Sequence, residues 1–197
     1  MKEQASMHND NRESAQYDRK LIITQNWLER VVVAHNFCPF AKPVLRAERI
    51  RYRLLKATTV VDLLREIRDE CIYLDEHETT ATSLLVLEHM GTDFYDYLDI
   101  VADADAWLAQ ANYEGIYQIA SFHPDYVFAG TQASDPSNFT NRSPFPLLHI
   151  LREDDVSAAL EDWRDPENIP QRNIRHARAL GAPYFQKLLL EINADKN

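Results

Sequence analysis

The 197 residues, 45% hydrophobic and 26% charged, suffice for one domain with a substantial core, an ordinary composition for a globular protein. A net charge of −10, from 31 acidic against 21 basic residues, disfavours nucleic-acid binding, which needs a basic footprint against phosphate. Cys38 and Cys71 form no CxxC pair, the polar N-terminus lacks an apolar signal-peptide core, and no run of about 18 apolar residues predicts a membrane span, so a reducing, cytoplasmic setting is expected.

Residues 1–14 are polar and patternless and read as a disordered tail; 15–197 read as a single α/β domain. Leu21, Leu28, Val31 and Val32 recur at helical spacing over 15–35, with Asn36 and Pro39 as stop signals. Residues 49–56 alternate, with Ile50, Tyr52 and Leu54 on one face and Arg49, Arg51 and Arg53 on the other, as a strand requires. Thr58 or Thr59 caps a second helix whose stripe is Val61, Leu64, Ile67, Cys71 and Leu74. The apolar run 82–88 suits a strand buried on both faces. Thr92 or Asp93 caps a third helix, and Gly115 precedes a strand over 116–122. Ser143-Pro144 has the form of a helix cap followed by proline at the first helical position. Short helices are predicted at 146–152, 155–163 and 170–180, with Gly181 as a stop and Pro183 opening a last helix. The expected fold is α/β, a small, mostly parallel sheet with a βαβαβ core, an N-terminal helix and a helical C-terminal region.

The four glycines, Gly91, Gly115, Gly130 and Gly181, are far apart, which excludes a Walker loop and a GxGxxG turn, and with them a nucleotide-binding loop. Attention falls on residues 119–152, where a strand runs into Phe122-His123-Pro124 and an aromatic-rich loop follows. A long loop that is too apolar for disorder is usually functional. If the strands are parallel, their carboxyl ends bring Lys56, His89 and His123 to one edge, where ligands bind in open α/β sheets. His123 suits a general acid or base, or a metal ligand, with Asp125 to orient it. Against this stands a histidine merely hydrogen-bonded at a strand end. Arg142, Asn141 and Ser143, before a helix N-terminus, would hold an anion, helped by Arg172, Asn173 and His89. The plain alternative is an arginine that ties the loop down. A divalent metal is a further option, with His35, Cys38, His123 and His149 as candidate ligands, although their spacing fits no zinc signature. Cys38 also reads as a thiol packed as a small hydrophobe, and His149 as a satisfied core histidine. The Arg49, Arg51 and Arg53 stripe could meet an anion or RNA, or simply protect an edge strand.

The chain resembles a family of bacterial proteins catalogued as domain of unknown function 1415. The resemblance rests on Cys38-Pro39-Phe40-Ala41, Ser121-Phe122-His123-Pro124-Asp125-Tyr126, Asn141-Arg142-Ser143-Pro144 with Leu147-Leu148-His149 and Leu151-Arg152-Glu153, and Ile169-Pro170-Gln171-Arg172-Asn173. It covers roughly residues 17–190. Members often carry a cysteine after Asp-Tyr in the loop; Val127 stands there in this chain, which argues against a loop thiol. The resemblance implies no reaction. From the residues, the leading expectation is an enzyme acting on a small anionic metabolite at a His/Arg pocket. The alternative is a non-catalytic binding or accessory protein that uses the aromatic 122–146 loop.

Overall fold

The computed structural model describes residues 19–161 and 165–195. The tail expected over 1–14 lies outside them. Residues 19–27 are helical and close in a π-helical turn, Leu28–Val33; together they form α1. Its buried stripe, Ile23, Trp27, Leu28, Val31 and Val32, has the spacing of one helical face. The chain leaves α1 through Asn36, whose φ of 54° is a left-handed conformation that asparagine tolerates better than most residues. A short helix α2, Ala41–Arg46, leads to strand β1, Ile50–Leu55. Helix α3, Val60–Glu76, starts where the Thr59 hydroxyl accepts the Asp62 N–H at 3.2 Å. Strand β2, Thr82–Leu87, is buried throughout, and helix α4, Phe94–Gln110, begins at Asp93, whose carboxylate takes the N–H groups of Tyr95 and Asp96. Strand β3, Tyr117–Phe122, enters the long loop, which contains a 3₁₀ turn at Pro136–Thr140. Strand β4, Leu147–Arg152, then runs directly into α5, Glu153–Glu161; α6, Ile169–Leu180, and α7, Ala182–Ala194, follow with Gly181 at φ 83° between them.

The sheet order is β1-β2-β4-β3. β1 and β2 are parallel, with Ile50 opposite Thr82, as their helical crossover α3 requires. β4 is antiparallel to both neighbours, pairing His149 with Leu84 of β2 and with Ala120 of β3. The fold is α/β, but the mostly parallel sheet expected from the sequence is corrected: two of its three pairings are antiparallel. The cause is the segment 146–152, expected to be a helix. Pro-Leu-Leu-His-Ile-Leu-Arg is apolar at almost every position, and a short apolar run carries no period that separates strand from buried helix. Here it is a central strand, apolar on both faces. The helix expected to start at Ser143-Pro144 does not form; the Ser143 hydroxyl donates to the Phe145 carbonyl at 2.5 Å instead.

Helices cover both faces. Against one pack Trp27, Val31 and Val32 of α1 with Phe185 and Ile192 of α7, over Leu54, Leu84, Val86 and Leu147. Against the other pack Leu63, Ile67 and Leu74 of α3 with Tyr97, Ala104 and Leu108 of α4, over Leu85, Leu87, Leu148 and Ile150. In α3 the inward positions are Leu63, Ile67, Cys71 and Leu74, while Val61, expected inside, is exposed. Each fully buried leucine or isoleucine contributes about 1.5–3 kcal/mol of transfer free energy, so the β2–β4 pair, buried on both sides, forms the centre of the core. Arg51 and Arg53, on the edge strand, converge on the fully buried Glu70 of α3 at 2.9 and 3.0 Å. The Arg51 contact has the geometry of an ion pair rather than of a directed hydrogen bond. Arg51 also lies 3.7 Å from the Tyr73 ring centre. Arg49 donates to the Thr79 and Glu78 carbonyls. The arginine stripe thus ties β1 to α3 and its exit.

Candidate functional site

Because β4 runs against both β2 and β3, strands β1, β2 and β3 all point the same way, and their carboxyl ends share one edge. The loops after β2 and β3 meet there through His123. Its Nε2 lies 2.9 Å from the Gly91 carbonyl, and its Nδ1 accepts the Asp125 N–H at 3.0 Å. A nitrogen that accepts a backbone N–H bears no proton, so the ring is the neutral Nε2–H tautomer and donates to Gly91. His123 is 0% exposed, with ring centres 5.0 Å from Tyr97 and 5.3 Å from Phe94. Its backbone is held as well, donating to the Asn141 carbonyl and accepting from Ser143. Gly91 has φ 68°, and a Cβ there would stand 3.1 Å from Tyr97 Cδ2, so the close approach depends on glycine.

Arg142, expected to clamp an anion, braces the loop from inside. Its Nε donates to the Tyr126 carbonyl at 3.1 Å and Nη2 to the Ala133 carbonyl at 2.8 Å, with the guanidinium 4.7 Å over Phe139. Its own carbonyl accepts the Trp27 indole N–H at 2.9 Å. Burial lowers its pKa, partly offset by Asp125. The Asn141 amide donates to the Ser121 carbonyl, and Ser143 is bonded within its own turn. The buried Asn138 takes the Phe128 N–H and the Thr131 hydroxyl and donates to the Gln132 carbonyl. The Asp135 carboxylate takes the Ser137 N–H and pairs with Arg178 at 2.7 Å, which holds its carboxyl well below the usual carboxylate range. These polar side chains close the loop on itself and, through Arg178, fasten it to α6.

Arg172 and Asn173 serve another junction. Arg172 donates to the Asn36 carbonyl, and Asn173 donates to the Phe37 carbonyl at 2.7 Å, fastening α6 to the exit of α1. At that junction His35 Nδ1 faces His176 Nε2 at 3.1 Å, and His35 Nε2 lies 3.3 Å from the Tyr184 hydroxyl. Burial, then His176, lower the His35 pKa. Cys38 is half-buried, and burial pushes its thiol pKa up against the N–H groups of Ala41 and Phe40 that favour thiolate. His149 lies inside the sheet, its Nε2 at 2.6 Å from the Thr82 hydroxyl. The four metal candidates, His35, Cys38, His123 and His149, are thus spread over the α1 exit, the loop and the sheet interior. Among the described residues no group of three or more histidine, cysteine, aspartate or glutamate side chains is placed to hold a metal ion.

His89 is the candidate that faces solvent at the shared edge. Its Nε2 is 3.8 Å from Glu88, which pairs with Lys20 at 3.1 Å. Beside it opens a cavity of about 400 Å³ lined by Gly91, Asp93, Asp96, Asp99 and Asp103 among others. Four carboxylates make this wall attractive to cations and unfavourable for a small anion. Next to it Phe94, Tyr126 and Phe128 form a chain of rings with centres 5.3 and 4.9 Å apart, and Tyr95, 76% exposed, projects beyond Phe94. Tyr95, Asp96, Asp99, Asp103, Lys20 and His176 were not foreseen as site residues. The spacing of Asp96, Asp99 and Asp103, three and four apart on one helix, was the available signal. Nothing in the local sequence points His176 at His35.

Among the described residues no helix is long and apolar enough to cross a membrane. Neither the curated proteins nor the solved structures contain a match to this chain. A family model described as protein of unknown function (DUF1415) matches residues 21–187, most of the chain and all the segments that build this edge, and the chain belongs to that family.

Proposed function

We propose that this protein is a binding or accessory protein that docks a basic, partly apolar segment of a partner at the start of α4 and the adjoining face of the 123–146 loop. The observation that carries this is the engagement of His123: both ring nitrogens are bonded to backbone and the ring is sealed from solvent. A general base needs a nitrogen within reach of a substrate proton. What faces outward is Tyr95 beside Phe94, whose ring in turn meets Tyr126, with Asp96, Asp99 and Asp103 alongside. An aromatic anchor with a one-signed charged rim suits a partner that brings lysine or arginine together with an apolar side chain. The test is a titration of ¹⁵N-labelled protein with a short peptide of mixed lysine and leucine residues. Shifts confined to α4 and the loop, weakened by salt and lost in Tyr95→Ala and Asp99→Lys, are expected. Unperturbed spectra, or shifts elsewhere that both variants retain, would refute it.

A second reading, catalysis on a small anionic metabolite, draws on His89, half exposed beside the Lys20–Glu88 pair. It expects turnover of some anionic substrate to be abolished by His89→Ala, and the four nearby aspartates weigh against it.

A further inference from the structure

We propose that His35 and His176 form a binding site for a borderline divalent transition metal, Cu²⁺, Ni²⁺ or Zn²⁺, with water in the remaining positions. His35 Nδ1 and His176 Nε2 face each other at 3.1 Å. Two imidazole nitrogens at the ordinary metal distance in tetrahedral geometry stand about 3.3 Å apart, so a cation enters with a shift of a few tenths of an ångström. In the metal-free pair one nitrogen donates to the other; on binding, the donor ring moves that proton to its far nitrogen, so both imidazoles stay neutral and the metal takes its place between them.

The surroundings fit a ligand role. The His35 ring is fixed by Phe37, Phe185 and Tyr184, with ring centres at 5.5, 5.3 and 5.5 Å. Its far nitrogen meets the Tyr184 hydroxyl at 3.3 Å, an oxygen able to accept its N–H as an outer-shell partner. His176 is exposed, which leaves a path from solvent and room for water ligands. Arg172 is held at the Asn36 carbonyl, next to His35, so positive charge stands close by. Two neutral nitrogen ligands near a guanidinium select metals with high imidazole affinity, in the order Cu²⁺ above Zn²⁺ above Mn²⁺, and reject Mg²⁺ and Ca²⁺, which need oxygen ligands. A metal here would join the exit of α1 to α6, two segments distant in sequence.

The experiment uses the full chain without an affinity tag. Cu²⁺ is titrated by calorimetry and the complex is read by electron paramagnetic resonance. The wild type is expected to bind one equivalent at pH 7.5 with a spectrum showing imidazole nitrogen coupling, and not to bind Mg²⁺. Tyr184→Phe is expected to weaken binding roughly tenfold. His176→Ala, at an exposed position and so expected to keep the wild-type urea midpoint, should weaken it at least tenfold and remove one nitrogen from the spectrum. Unchanged Cu²⁺ affinity and spectrum in His176→Ala, or no binding by the wild type, would overturn the proposal.

Discussion

Replacing His149 by glutamine isolates one proton-linked contribution to stability. His149 is 8% exposed on central strand β4, and burial lowers its pKa from 6.5 to about 4. The Thr82 hydroxyl donates to the Ile150 carbonyl at 2.5 Å, so it accepts from His149 Nε2–H, and the ring is neutral. Its ladder neighbours, Leu84 and Ala120, bring no compensating charge. The unfolded chain therefore binds the proton first as pH falls, and stability, full above the unfolded pKa, declines as pH drops through 6.5 toward 4. With these two pKa values the loss relative to pH 7 is about 2 kcal/mol at pH 5 and about 3 kcal/mol at pH 4. Glutamine keeps an N–H for Thr82 and does not titrate. Urea melts of both proteins at pH 7, 6, 5 and 4 give the double difference, in which carboxylate effects common to both cancel. The wild-type midpoint should fall relative to the variant by about 1.5 M between pH 7 and 4, for a slope of about 2 kcal/mol per molar. Parallel loss of stability in the two proteins, or an NMR titration of His149 near 6.5 in the folded state, would refute the argument.

His123→Ala would strand the Gly91 carbonyl and the Asp125 N–H and leave a cavity, a cost of about 2–4 kcal/mol that urea denaturation would show. Glu70→Gln would leave Arg51 and Arg53 facing each other across a neutral amide and should cost about 2 kcal/mol, less than a fully enclosed pair because both arginines are about one-third exposed. Arg142→Ala is expected to accelerate proteolysis within the loop that it braces at the Tyr126 and Ala133 carbonyls, with little change in the global midpoint; a protection pattern like that of the wild type would mean the brace is dispensable.

Where the pattern of residues was periodic and capped, it foretold the structure closely. The β1–α3–β2–α4–β3 order, the Thr59 and Asp93 caps and the Gly181 stop are all present, because each follows from local backbone chemistry. Residues 146–152 were misread because burial on both faces erases alternation, and the faces are covered by α1 and α7 on one side and α3 and α4 on the other, none adjacent in sequence. The shared edge of His89 and His123 was legible, since it depends only on strand direction. Whether each histidine faces water or backbone was not. His123 and Arg142 are residue types that catalytic sites favour, yet the carbonyls they meet, on Gly91, Tyr126 and Ala133, belong to no side-chain pattern. The same blindness hid His176, whose partner stands 141 positions away.

The placement of β4 between β2 and β3 sets an order of assembly. Among the described residues β3 has no neighbour in the sheet except β4, and β2 leaves one edge open until β4 arrives. As the chain emerges from the ribosome, β1, α3, β2 and α4 can gather as a local unit, while β3 must wait through positions 123–146 for its partner. Until residue 152 is made, strand Thr82–Leu87, with its apolar run Leu84–Leu87, offers its free backbone edge to any other chain. Closing that edge joins segments some 60 residues apart, a non-local step that should dominate the folding rate. A chain cut short before β4 would therefore aggregate through β2 even with every helix before the cut intact.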